Sequence, residues 1–589
     1  MKRSKILALV LAVLLVMGTF AACGNGDQPA SSQSPASTAS KPADASEPAS
    51  DGSSTASEPT ADNTDNTGDA PKMGGEFNVN AGMEPTSLNS ITTTYSIEFS
   101  IYRHLMENLY VLDDEDLPQP GAAETVDISD DSTVFTFHLR DDGKWTNGDP
   151  VTANDFSFAW QQVLNPDNAA DYAYFLYFIK NAEAFYKGEC SWEDVGVKVI
   201  DDSTLEVTLD HAIPYAKFLF AFGTLSPINE KFYNEVGADA YCTEAEYFCT
   251  NGAFKLTEWK HDSLIVTEKN PDFHGADEVY LDKINWKIIT EAQAGLTEFF
   301  AGGLDMVGLS TGELIKQAET QGFETAQYAD GSAFYIYFNH NNEYLKNQNL
   351  RKALALGFDK EMMVNSVYQN GNQPMTSFTC PAVLGSDGKT SFAERLNAWT
   401  GGELTPKNGD VEAAKGYLET ALSELGCTVE DLSSLSVDCG DSSVAQAEAA
   451  FYQEQWRTNL GIDVQINPMT TKQGSENRKN GNYIMSLTGW GPDYNDPMTF
   501  LDLWVSTSGN NQTFYASEAY DKLIADASVE TDFEKRQEMF YEVEKLIVED
   551  LPVAPSYWRF PTYAVGKNVG GGVHRSTFQD IDLVHAYMK

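Results

Sequence analysis

The chain has 589 residues, more than one ordinary hydrophobic core can serve, so two or three domains are expected. Its composition is globular, 42% hydrophobic and 12% aromatic, but 87 Asp and Glu stand against 39 Lys and Arg, a formal charge of −48. That charge repels phosphate backbones and argues against nucleic acid as a partner; it fits a solvated surface and a cationic group on a ligand.

The first residues concern export. Lys2, Arg3 and Lys5 precede an apolar run, Ile6 to Phe20, too short for a comfortable membrane span and suited to a signal peptide. The run ends in FAAC, and residues 1–22 are read as that signal. FAAC resembles a bacterial lipoprotein box, with Phe20 where the box usually has Leu. The resemblance implies that Cys23 is lipidated, and a diacylglyceryl thioether supplies the two chains that stable anchoring needs. In the competing reading, an ordinary secretory signal, Cys23 is a bystander. Residues 24–72 hold no Val, Ile, Leu, Met or aromatic residue. They cannot bury enough apolar surface to offset ordering entropy, so 23–72 is read as a lipidated Cys and disordered tether. Its r.m.s. reach is roughly 40 Å.

From Met73 the texture changes. Phe135, Phe137 and Leu139 alternate with Thr136, His138 and Arg140, a strand pattern. Thr152 and Asp155 form an approximate capping box before ANDFSFAWQQVL, where Phe156, Trp160, Val163 and Leu164 share one helical face. TLEVTLD (204–210), SLIVTEK (263–269) and VYLDKINWKII (279–289) read as strands. Helices are predicted over EAQAGLTEFFAG, QNLRKALALGF, AQAEAAFYQEQWRTNL and DFEKRQEMFYEVEKLIVED. This irregular mixture, without a short repeat, predicts α/β or α+β domains rather than a solenoid. No later run of 18 apolar residues occurs, so the body is expected to be soluble. Six cysteines follow Cys23; Cys242 with Cys249 and Cys427 with Cys439 are near enough to pair, but spacing leaves connectivity open and buried free thiols remain an alternative.

Four blocks then resemble one family: KWTNGDPVTANDFSFAWQQVLNP (144–166), NGAFKLTEWKHDSLIVTEKNPDF (251–273), FYIYFNHNNEYLKNQNLRKALALGFDKE (334–361) and GWGPDYNDP (489–497). They are similar, in order, to blocks of the extracellular solute-binding proteins of peptide ABC transporters, the oligopeptide-binding family. The resemblance implies an α/β, two-lobed periplasmic-binding-protein type II (Venus-flytrap) fold. Lobe 1 would be discontinuous (73–105, 241–335 and 555–589), an extra domain (106–240) would pack on it, and lobe 2 would span 336–554. It also implies a peptide ligand, an ABC permease with its ATPase subunits as partners, a monomer, and no cofactor, metal or catalytic activity. The chain itself has no G-x-x-x-x-G-K-[ST] loop for ATP. The expected location is the extracellular face of the cell membrane, held through Cys23.

The same resemblance assigns the ligand site. In the family the Asp of GWxxDYN pairs with the peptide's N-terminal amine; that residue here is Asp493. Trp490 would wall the pocket, and Tyr494 and Asn495 of the motif are placed at the ligand with them. Tyr172 matches a tyrosine that touches bound peptide, and Arg478 an arginine that meets a carboxylate. Read from the residues alone, Asp493 could close an Asx-turn, Tyr172 could pack in a core, and Arg478 could be a solvated charge. Asp496, before Pro497, is read as a turn former. Two departures from the family stand out: Thr near position 94 replaces an acidic residue, and Gly491 replaces a cysteine. Both leave preferred peptide length and sequence open.

Rival readings exist. Gly308-Leu309-Ser310-Thr311-Gly312 matches G-x-S-x-G between a strand pattern and a helix pattern, the setting of a hydrolase nucleophile elbow; the bland reading makes Ser310 a helix cap. The acidic run DDED (113–116) suggests calcium but lacks EF-hand spacing. A binder of another solute on the same fold, such as a murein peptide, sugar or metal complex, is the main alternative function. A surface adhesin would share the tether but would not need GWGPDYNDP.

Overall fold

A computed structural model describes residues 71–385, 388–578 and 581–589. The signal peptide, Cys23 and nearly all of the tether lie outside these residues.

Three sheets organise the body. A seven-stranded sheet runs, in spatial order, Thr325–Gln327, Thr562–Val565, Met306–Leu309, Glu76–Asn80, Lys283–Lys287, Leu264–Lys269 and Phe254–Lys260. Glu76–Asn80 sits near its middle, parallel to both neighbours, so the sheet is assembled from three distant parts of the chain. A six-stranded sheet runs Gln373–Pro374, Val553–Trp558, Ala333–Phe338, Met485–Trp490, Ser436–Gly440 and Gln465–Met469. Ala333–Phe338 and Val553–Trp558 belong whole to this sheet, which therefore extends a few residues beyond 336–554 at each end. A four-stranded antiparallel sheet, Ala123–Ile128, Val134–Leu139, Thr204–Thr208 and Val197–Asp201, centres the 106–240 region.

Local signals place these elements as their chemistry requires. The alternating strand Val134–Leu139 buries Phe135, Phe137 and Leu139. Helix Ala153–Val163 begins where Thr152 N donates to Asp155 Oδ2 at 2.8 Å, the expected box. Asp155 also takes the Trp145 indole N–H at 3.1 Å, so one buried carboxylate starts the helix and anchors the preceding loop. Phe156, Trp160, Val163 and Leu164 all have zero exposure, and Trp160 stacks on Phe220 at 6.1 Å. The other predicted helices appear as Ala292–Phe300, Gln348–Leu356, Ser443–Leu460 and Phe533–Asp550. VYLDKINWKII forms a shorter strand, Lys283–Lys287, because Val279 follows a 3-10 turn and only 283–287 register against partners.

Two crossings join the seven- and six-stranded sheets, at 328–332 and 559–561. They are tied together: Arg559 Nε donates to buried Asp330 at 2.6 Å and Arg559 N donates to Ser332 O at 2.9 Å. Gly331 between them has φ +70°, and a Cβ there would lie 2.5 Å from Pro492 Cγ. Only glycine lets this crossing touch the 489–497 loop. Among the described residues no helix is long and apolar enough to cross a membrane, and all six cysteines are free, so neither pairing suggested by spacing is formed.

Candidate ligand-binding cleft

The strand Met485–Trp490 leads into the loop that the sequence singled out. One edge of this strand pairs fully with Ala333–Phe338. Its other edge pairs with Ser436–Gly440 only at Met485 and Ser486. Beyond Ser486 that edge has no strand neighbour among the described residues, and Thr488, Gly489 and Trp490 line a cavity of about 810 Å³. A volume of this order lies within the range of ligand pockets. Gly489 keeps the strand close to its partner, since a Cβ would come within 2.8 Å of Phe334.

Asp493, half-buried, lines the same cavity with Trp490, Tyr172 and Arg478. Its backbone N–H donates to Thr499 Oγ1 at 2.9 Å, and Tyr172 Oη donates to its Oδ1 at 3.4 Å. Burial, reinforced by the Asp493 charge, pushes the Tyr172 hydroxyl well above its ordinary pKa, so it stays a donor. Tyr172 is 6% exposed and packed edge-on against Phe175 and Phe222, so it is at once core residue and cavity wall. Arg478 is not a loose surface charge: Nε donates to Gln512 Oε1 at 3.1 Å and the guanidinium lies 5.9 Å from the Tyr337 ring centre.

Two expected contacts sit elsewhere. The Tyr494 ring is buried off the cavity, stacked on Tyr215 with centroids 4.5 Å apart. Asn495 also points away, its Oδ1 accepting from Leu384 N at 2.8 Å. The alternation of a turn sends 493 and 494 to opposite sides, so a shared motif does not make a shared surface. Asp496 does form a turn, accepting from Met498 N at 3.0 Å, but it does more. It receives the buried Arg536 guanidinium through two bonds, at 2.6 and 2.9 Å, a pairing 40 residues away in sequence that no motif announced.

The turn at 171–175, from which the sequence reading took only Tyr172 to the ligand, reaches the six-stranded side of the cleft through two further residues. Besides Tyr172, Asp171 pairs with Lys479 at 2.6 Å, and Tyr174 Oη accepts from Asn510 Nδ2 at 2.9 Å. The aromatic richness of DYAYF was the signal available. The G-x-S-x-G match is a strand followed by a helix, Gly312–Thr320, but its cap is Thr311, not Ser310: Thr311 Oγ1 accepts from Leu314 N. Ser310 does not line the cavity. The DDED run folds on itself, with Asp113 accepting from Glu115 N and Leu117 N, and Asp116 meeting His574 at 3.0 Å. Among the described residues no group of three His, Cys, Asp or Glu could hold a metal ion.

Comparisons with known proteins agree with this architecture. Residues 118–512 match the family described as bacterial extracellular solute-binding proteins, family 5 Middle. The chain is 34% identical over 524 residues to the oligopeptide-binding protein OppA of Bacillus subtilis, covering 87% of this chain and 92% of that one. It is 33% identical over 506 residues to the dipeptide-binding protein DppE of the same organism, covering 85% and 90%. Among solved structures, the substrate-binding domain of an oligopeptide ABC transporter from Bacillus anthracis superposes with a TM-score of 0.81 at 34% identity, covering 87% of this chain and 98% of that one. Listeria monocytogenes OppA bound to peptide gives 0.80 at 30%, covering 88% and 100%. The fold is the two-lobed type II periplasmic-binding-protein fold, and the chain belongs to the bacterial extracellular solute-binding proteins of family 5.

Proposed function

We propose that this protein captures extracellular peptides in the cleft and delivers them to an ABC permease. The observation that carries this reading is the free strand edge at Thr488–Trp490 ending beside Asp493. A free edge bonds a guest main chain whatever its side chains, as in strand addition. A carboxylate at the end of that edge matches a peptide's N-terminal ammonium, which must be paired if buried. Tyr172 donates to that carboxylate, Trp490 walls the first pocket, and Arg478 offers a guanidinium for a carboxylate further along. Tyr494 and Asn495 support the loop from behind.

The protein's task is closure rather than catalysis. Contacts from both sides of the cleft favour the closed form by their differential affinity, and closure is what the permease reads. ATP hydrolysis belongs to the partner subunits. In this reading lobe 1 holds the seven-stranded sheet, lobe 2 the six-stranded sheet, and the 106–240 domain rides on lobe 1. A monomer lipidated at Cys23 works at the extracellular face of the membrane. Relatives named for oligopeptides and dipeptides support the ligand class.

Calorimetry with matched free and N-acetylated peptides tests the reading. The free peptide should bind and the acetylated one should bind poorly. Equal affinities would remove the ammonium role; failure of every peptide to bind would remove the peptide.

A further inference from the structure

The 106–240 domain touches both sides of the cleft. On the seven-stranded side it is fixed: Thr146 N donates to Thr250 O at 2.8 Å, and the Phe222 ring centre lies 4.7 Å from that of Phe99. Toward the six-stranded side it presents the turn at 171–175 and Tyr215, which precedes the short helix Ala216–Ala221. Tyr215 lies flat on Tyr494, the planes 8° apart and the ring centres 4.5 Å apart. The Arg536 guanidinium sits 5.7 Å from the Tyr215 ring centre, and Phe175 meets Tyr494 edge-on at 6.0 Å. Beside this aromatic contact stand two polar ones, Asp171 with Lys479 and Tyr174 with Asn510.

The surface that receives Tyr215 is firmly held. Tyr494 is 4% exposed, and the Asp496 carboxylate fixes Arg536 through its two bonds. Tyr215 does not line the cavity, so its contact is protein against protein and its strength does not depend on what the cleft holds. Stacked rings and a cation over a ring face each contribute beyond the area they bury, and parting the two sides would return those faces to water. The exposed Asp171–Lys479 pair adds little strength and orients the turn. The arrangement of the two sides is also unlike an open one. The unliganded open form of the murein tripeptide-binding protein MppA superposes with a TM-score of 0.61, against 0.79 for the Escherichia coli MppA structure, both at 26% identity.

We propose that the 106–240 domain is a latch: Tyr215, seated on Tyr494 and Arg536, holds the six-stranded side closed whether or not a guest is present. A contact made only in the closed form shifts the open–closed equilibrium toward it, so part of the protein is closed before any guest arrives. The same contact slows release, because a bound guest escapes only after the latch parts. The first consequence stands by itself; the second rests on the peptide reading above.

Single-molecule energy transfer on the whole protein, without ligand, tests the latch. Dyes go on non-natural residues at Lys198 and Lys415, exposed positions in the 106–240 domain and on the six-stranded side. The parent should show both an open and a closed population. Tyr215→Ala should raise the open-to-closed ratio about tenfold, the size of one stacked pair with its cation, whereas Tyr215→Phe, which keeps the ring, should stay within about twofold of the parent. Should Tyr215→Ala fail to fold, Tyr215→Leu, with bulk but no ring face, takes its place with the same expected shift. A parent without a closed population, or a ratio that the ringless variants leave unchanged, would overturn the latch. Stopped-flow release of bound peptides gives the second readout: the dissociation rate should rise by the same factor for peptides of unrelated sequence. A rise confined to one sequence would make Tyr215 a ligand contact and overturn the latch. If no peptide binds the parent while the populations shift as expected, the peptide reading falls and the latch stands.

Discussion

Replacing Asp496 by Asn leaves the Arg536 guanidinium in a site where its side chain is 1% exposed and the one carboxylate it pairs with among the described residues is gone. Asp496, at 7%, accepts two short bonds from that guanidinium, so neither partner can turn to solvent for compensation. Breaking one side of such a pair costs about 3–5 kcal/mol. At roughly 1 °C per kcal/mol, the value that scales to a body of this size, the melting temperature should fall by on the order of 3–5 °C. Asp493, three residues earlier, is half-buried and accepts a long bond from Tyr172, so Asp493→Asn should melt close to the parent. Its effect should fall on binding instead, about 2 kcal/mol or more, hence roughly 30-fold or more in peptide affinity. Scanning calorimetry and peptide titration on the two variants separate the roles. An Asp496→Asn protein that melts with the parent would refute the buried pair, and an Asp493→Asn protein that binds like the parent would refute the ammonium site.

Further outcomes follow from the same geometry. Burial first, then the nearby Asp496 charge, pushes the Asp502 carboxyl up to about 7, so the folded form holds a proton the unfolded form has lost. Its stabilising contribution is therefore complete below pH 3.8 and vanishes as pH rises to about 7. Urea titrations of Asp502→Asn against parent should show the variant gaining relative stability across that window; a constant difference would contradict it. Gly331→Ala puts a Cβ 2.5 Å from Pro492 and 2.9 Å from Thr577 O at φ +70°, so it should destabilise by more than about 1 kcal/mol and weaken peptide binding. A variant as stable as the parent would show that the crossing does not press on the loop. Lys479→Ala removes an ion pair whose partners are 45% and 42% exposed, so peptide affinity should change by less than about fivefold and the change should shrink with salt. A loss of thirtyfold would instead make Lys479 a ligand contact.

Much of the body was legible because its signals are local. Alternation around Phe135 and Phe137, the Thr152/Asp155 box and the Trp160 face each concern residues within one or two turns, and each formed where expected. Even there, neighbours with similar chemistry were confused: Thr311 rather than Ser310 caps its helix, because the last non-helical residue lies one position later. The family blocks carried the two-lobed fold, whose seven-stranded sheet no periodicity could assemble from residues 76, 283 and 562.

The cleft divides the same way. By itself the sequence determined that GWGPDYNDP is a turn-rich loop after a strand; the family resemblance, not the residues alone, is what implied a ligand role for its carboxylate and indole. Only the tertiary structure decided which side each residue faces: Asp493 and Trp490 toward the cavity, Tyr494 onto Tyr215, Asn495 onto the 384 backbone, and Asp496 onto Arg536. The physical reason is that a turn's side chains are sorted by what packs against each face. Those partners, at 172, 215, 384 and 536, are brought in by long-range sheet and helix packing that no short motif encodes.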